Sequence, residues 1–137
     1  MLSSYTNTLQ SLEVDELLSF ATNRILTGCT VTHSEGTTSF RLNKPGYYFV
    51  VFNGDAATTA TAGEVVVELL MNGVSVPGAS ATNYSAAAVN VQNLSFSTII
   101  KVPPSCACVD NSTTLTLQNS GVAADYTNAN ITITKLC

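Results

Sequence analysis

The run Gly46-Tyr-Tyr-Phe-Val-Val-Phe-Asn53 constrains this chain more than any other feature. A β-strand sends successive side chains to opposite faces, so a strand with one wet face alternates apolar and polar residues. Here Tyr47, Phe49 and Val51 on one face and Tyr48, Val50 and Phe52 on the other are all apolar. One set can fill the core between two sheets. The other needs a second apolar surface, and in a chain of 137 residues the expected source is another copy of the same protein. Parity alone leaves open which set does which.

The remaining apolar runs are also of strand length and are separated by Gly, Pro, Asn or Ser, which is an all-β pattern. Residues 1–16 are polar with scattered apolar positions and read as an arm, with residues 17–137 as one domain. Strands are expected over residues 17–25, 30–33, 38–42, 47–53, 64–71, 94–102, 113–118 and 129–136. Asn43-Lys-Pro-Gly46 is a turn, because Pro presets φ and Gly accepts a positive one. Asn72-Gly73 is the strongest hairpin signal in the chain, with Val74-Ser-Val76 as its return strand before Pro77-Gly78. Residues 54–63 read as a loop tip and residues 79–93 as a loop with a weak strand, a short helix at 85–89 being the alternative. No internal repeat appears.

Charged residues make up 10% of the chain, against about 25% in average globular proteins. Ser, Thr, Asn, Ala and Val fill the gap, and that mixture suits strands and turns better than helices. The net charge is −4 and the five basic residues, Arg24, Arg41, Lys44, Lys101 and Lys135, are scattered. Nucleic acid needs clustered cations, so it is not an expected partner. Neither a signal-peptide core nor a transmembrane-length apolar run is present, so no membrane partner is expected and synthesis is expected in a host cytoplasm. The sequons at Asn83, Asn93, Asn111 and Asn130 then read as chance in an Asn/Thr-rich chain.

Catalytic patterns are lacking. The single histidine, His33, has no nucleophile-elbow motif to serve, and neither a phosphate-binding Gly loop nor clustered carboxylates occur. Asp55, Asp110 and Asp125 sit in expected loops, where aspartate usually forms turns. The four cysteines, Cys29, Cys106, Cys108 and Cys137, allow three full pairings. Cys106-Ala-Cys108 lacks the usual zinc-knuckle spacing. The expectation is a non-enzyme with no cofactor and no metal site.

The order of the strands carries a resemblance. Pro45-Gly46-Tyr-Tyr-Phe-Val, Val65-Val-Val-Glu-Leu-Leu-Met-Asn-Gly73, Phe96-Ser-Thr-Ile-Ile and Ile131-Thr-Ile-Thr-Lys-Leu resemble, in that order, the complement-component/tumour-necrosis-factor-like jelly roll, over about residues 18–136. Thr32-His-Ser-Glu-Gly ahead of Ser39-Phe-Arg-Leu is similar to small phage-encoded or spore-surface trimeric domains of Firmicutes. The Gly-Asp-x-Val turn of the complement branch is replaced by Pro103-Pro-Ser-Cys-Ala-Cys-Val109, so no calcium or receptor-binding residue carries over. The resemblance implies a two-sheet antiparallel jelly roll of eight to ten strands, assembled as a homotrimer. The interface is expected at Tyr47, Phe49 and Val51 or at their neighbours Tyr48 and Phe52.

In that connectivity the terminal strand lies between the first strand and strand 47–53, with strand 94–102 one place further. Strands 94–102 and 129–136 then run parallel, which brings Cys137 towards Cys106 or Cys108 as the expected disulfide partner. Cys29 is expected at the opposite end. The functional expectation is a structural virion protein on the particle surface, a head decoration or head-fibre protein of a tailed bacteriophage. Its partner is the major capsid protein or another virion protein, reached by a disordered arm through Leu2, Tyr5 and Leu9. The runner-up is a trimeric ligand- or receptor-binding module on a spore or cell surface.

Overall fold

The computed structural model describes residues 1–104 and 113–137. Among them there is no helix, only strands: β1 Leu2–Thr6, β2 Gln10–Leu12, β3 Thr22–Leu26, β4 Val31–Thr32, β5 Phe40–Leu42, β6 Gly46–Thr58, β7 Gly63–Met71, β8 Val74–Ser85, β9 Gln92–Val102, β10 Thr113–Asn119 and β11 Ala124–Lys135. They form two antiparallel sheets. One runs β3-β1-β11-β6-β9, with β2 paired to β11, and the other runs β4-β5-β10-β7-β8. The crossovers between them make a jelly roll.

Alternation places the core as the sequence leads one to expect. Val65, Val67 and Leu69 of β7, Leu115 and Leu117 of β10, and Ile131 and Ile133 of β11 are fully buried between the sheets. Asn72 and Gly73 both take positive φ, 52° and 80°, the geometry of a two-residue hairpin whose twist matches its strands. The terminal strand β11 does lie between the amino-terminal side of its sheet and β6, with β9 beyond, and β9 and β11 both run antiparallel to β6.

The amino-terminal arm is not an arm. β1 pairs with both β3 and β11, which supplies backbone hydrogen bonds on both sides and offsets the entropy of ordering it. Leu2, Ser4 and Thr6 alternate inward and are buried, and the Ser4 hydroxyl donates to the Thr22 carbonyl at 3.0 Å. Counting only its few apolar side chains underestimates what sheet pairing contributes. Residues 13–16 are held as well: Asp15 N donates to Asn119 O and Asn119 N to Glu16 O, each at 2.8 Å.

The first expected strand, residues 17–25, divides. Leu17 forms an isolated bridge with Gln118, and Leu18 and Phe20 are buried as the segment crosses from one sheet towards the other. Only Thr22–Leu26 is strand. The expected position of Cys29 changes for the same reason. Because β1 intervenes between β3 and β11, β3 runs parallel to β11 rather than antiparallel. The chain leaving β3 therefore emerges at the end of the sandwich where β11 stops. Asn43 Nδ2 donates to the Cys29 carbonyl at 2.8 Å, and Tyr47 N donates to the Cys137 carbonyl at 3.2 Å. Cys29 and Cys137 share that end, both exposed as free thiols, whereas Cys106 and Cys108 lie outside the described residues.

Two strands are longer than expected. β6 runs to Thr58, so most of the expected tip at 54–63 is strand. β8 continues past Pro77 to Ser85, which is permitted because it is an edge strand where a missing N–H need not be paired. At the start of β6, Gly46 has φ +136°, and a Cβ there would collide with the Cys137 carbonyl. This position requires glycine.

Behind the strands sits one buried polar junction. Tyr126 Oη donates to Asn119 Oδ1 at 2.8 Å, with the Val66 carbonyl 3.1 Å away. Asn119 Nδ2 donates among the carbonyls of Leu12, Glu13 and Val122 at 3.0–3.3 Å. Burial pushes the Tyr126 phenol up from its usual range. The junction ties β10, β11, β7 and the amino-terminal segment together.

Candidate functional site

Of the expected interface residues, the structure separates the two faces of β6. Tyr48, Val50 and Phe52 are fully buried in the core. Tyr48 Oη donates to the Lys44 carbonyl at 2.6 Å, and Phe52 packs on Phe96 with ring centroids 5.6 Å apart. Tyr48 and Phe52 therefore do not belong to an outer interface. Tyr47, Phe49 and Val51 point away from the core, Tyr47 being 44% and Phe49 37% exposed.

Register builds these into a patch. Phe49 stands opposite Ile99 on β9 and Thr134 on β11; Val51 stands opposite Ser97 and Thr132; Tyr47 stands opposite Lys101. Ile99 is 59% exposed and was not singled out from sequence. Its signal is the one carried by residues 47–52, since Ile99-Ile100 places an apolar residue on each face. Lys101 Nζ lies 5.9 Å from the Tyr47 ring centroid, a cation–π approach that borders the patch.

The same face turns polar towards the far end of β6. Asn93 Nδ2 donates to Asn53 Oδ1 (2.9 Å), the Gly54 carbonyl (3.2 Å) and Asp55 Oδ1 (3.2 Å), and Asn128 Nδ2 donates to Asp55 Oδ2 (3.3 Å). The outer face of this sheet thus has an apolar half and an amide-rich half. Asp125, the other described aspartate of the three considered, accepts a short hydrogen bond from Ser11. Among the described residues no group of three or more His, Cys, Asp or Glu could hold a metal ion, and no helix is long and apolar enough to cross a membrane.

The three arm residues are dispersed. Leu2 is in the core, Tyr5 is half-buried beneath the Arg24 guanidinium at 4.7 Å, and Leu9 is exposed in the turn between β1 and β2. They do not form one surface.

His33 is buried and stacked on Phe40, centroids 4.3 Å apart. Its Nδ1 lies 2.7 Å from Asn23 Oδ1 and its Nε2 3.0 Å from the Thr37 carbonyl. Asn23 Nδ2 donates to the His33 carbonyl at 2.8 Å, which fixes the amide with its oxygen towards the ring. Both ring nitrogens thus have partners that hold the loop, and among the described residues no serine or cysteine side chain is paired with them.

No family model and no curated protein matches the sequence. Solved structures do match the fold. Murine APRIL at pH 5.0 superposes with a TM-score of 0.70 at 9% identity, covering 98% of this chain and 97% of that one. Eiger TNF from S. frugiperda gives 0.71 at 10% identity, covering 99% and 91%. The globular domain of zebrafish complement 1qA gives 0.58 at 12% identity, covering 98% and 97%. The fold is a jelly roll of the tumour-necrosis-factor and complement 1q type, and at these identities the likeness defines the fold alone.

Proposed function

We propose that this protein works as a non-enzymatic homotrimer, and that the trimer is a structural protein of a tailed bacteriophage particle, a head decoration or head-fibre protein displayed on the virion surface. The observation that carries the association is the exposed apolar face of Tyr47, Phe49, Val51 and Ile99, built on the two strands β6 and β9 of one sheet. In the tumour-necrosis-factor-like arrangement that the sequence resembles, this face packs around a three-fold axis. A contiguous apolar patch on an otherwise polar sheet face is a mark of such contact.

The particle reading is supported by the low charge and the absence of a catalytic arrangement among the described residues. Because residues 1–16 are built into the sheet, contact with the major capsid protein falls to the jelly roll itself. The runner-up, a ligand- or receptor-binding module on a cell or spore surface, is favoured by the groove described below.

Light scattering at micromolar concentration tests the association: a mass of three chains is expected, and a one-chain mass overturns it. Phe49→Asp should give a one-chain mass with an unchanged β circular-dichroism spectrum. Co-sedimentation of the trimer with empty phage heads tests the particle reading, and a trimer left in the supernatant counts against it.

A further inference from the structure

An open groove of about 820 Å³ lies where the edges of the two sheets meet, β3 on one side and β4 and β5 on the other. That is within the range of roughly 300–1,000 Å³ typical of small-molecule sites. Its walls have one chemical character. Arg41 is flanked in register by Thr32 on β4 and Thr114 on β10, and Ser34 and Ser39 add further hydroxyls. Leu26 is the apolar wall. No described carboxylate lines the groove, although the chain is acidic overall.

The floor is preorganised. His33 is clamped between Asn23 and Thr37 and stacked on Phe40. The Thr37 hydroxyl donates to the Ser34 carbonyl at 2.7 Å, and Asn43 Nδ2 lies 3.3 Å from Thr32 Oγ1. A guanidinium offers five N–H donors in a planar fork that matches a carboxylate. Arg41 already makes an interaction within the protein, and the fork has donors for more than one partner. Hydroxyl side chains both donate and accept, which is what a polyol requires.

We propose that this groove binds an acidic saccharide, with the sugar carboxylate on Arg41, its hydroxyls on Thr32, Ser34, Ser39 and Thr114, and a C–H face against Leu26. The test is calorimetric titration of the full chain with sialyllactose and with trigalacturonate, set against neutral lactose and maltotriose. Binding of at least one acidic sugar with a Kd of about 1 mM or tighter is expected, without comparable binding of the neutral sugars. Arg41→Gln should weaken it by about tenfold or more. The proposal is overturned if neither acidic sugar binds, if the neutral sugars bind equally, or if Arg41→Gln leaves the affinity unchanged. Should that variant fail to fold, NMR of the unaltered chain decides: shifts centred on residues 32–41 and Thr114 support the proposal, and shifts elsewhere overturn it. The titration reads binding and not subunit mass, so its outcome is separable from that of the trimer.

Discussion

The two sheets bury equivalent faces against each other but turn different faces outward. On the β4-β5-β10-β7-β8 sheet, the outward positions mix Arg41, Thr114, Gln118, Glu64 and Glu68 with Val66, Leu70 and Tyr84, and Glu68 and Gln118 are directly paired. On the other sheet, the corresponding positions of β6 and β9 are Tyr47, Phe49, Val51 and Ile99. Both faces belong to the same small sandwich and need the same strand geometry. The first face breaks up its apolar residues with charges, which the run Tyr47, Phe49, Val51 and Ile99 lacks. The apolar face is the one that the proposed association uses.

Exchanging the character of the two faces gives the sharpest break. Phe49→Asp should abolish association, whereas Glu68→Phe, its mirror on the other sheet, should leave the subunit mass as it was; light scattering reads both. The inward neighbour behaves differently again. Phe52→Ala should cost about 3–5 kcal/mol whatever the protein concentration, measured by urea denaturation, because Phe52 is fully buried within the subunit.

A smaller effect tests whether the shared core, and not either outer face, holds the sandwich closed. Asn119→Ala removes one of the two acceptors of the Tyr126 hydroxyl and the amide donor shared by the Leu12, Glu13 and Val122 carbonyls, and should cost about 1–3 kcal/mol with no change in subunit mass. The same junction gives a pH dependence. Burial raises the Tyr126 phenol, so the neutral form is favoured in the fold. Its contribution is fully present below about pH 10 and is lost as pH rises through the alkaline range above it. Urea midpoints measured against pH should fall there, and less steeply in Tyr126→Phe. At the small end, Glu68→Gln on the solvated face should stay within about 0.5 kcal/mol of the parent, despite its hydrogen bond with Ser75.

What the sequence discloses follows from which constraints are local. Strand parity in β7, β9, β10 and β11 and the Asn72-Gly73 hairpin rest on neighbouring residues and are readable from the chain. The jelly-roll order rests on a resemblance and also holds. The orientation of β6 is unreadable because both its faces are apolar, and only the partner sheet decides between them. The residues of β1 lack an apolar pattern, because pairing on both sides substitutes for side-chain burial. Missing β1 displaced Cys29 to the wrong end. Only the two ends of β8 are legible, as a return at 74–76 and a weak strand within 79–93, because a one-sided edge strand tolerates Pro77, Gly78 and a run of small residues. The groove at Arg41 is assembled from β3, β4, β5, β10 and the loop between β4 and β5, so no local motif announces it.

The placement of β11 has a consequence for how the molecule is made. It hydrogen-bonds to β1, β2 and β6, so the middle of one sheet is occupied by the strand furthest along the chain from β1. Until it arrives, β1 and β6 lack a common neighbour, and β6 exposes an unpaired edge beside its apolar faces. Pairing between segments this far apart in the chain is slow, and unpaired edges invite aggregation. The sheet therefore closes only once β11 is available, and chains that meet before it docks are at risk of exchanging this strand.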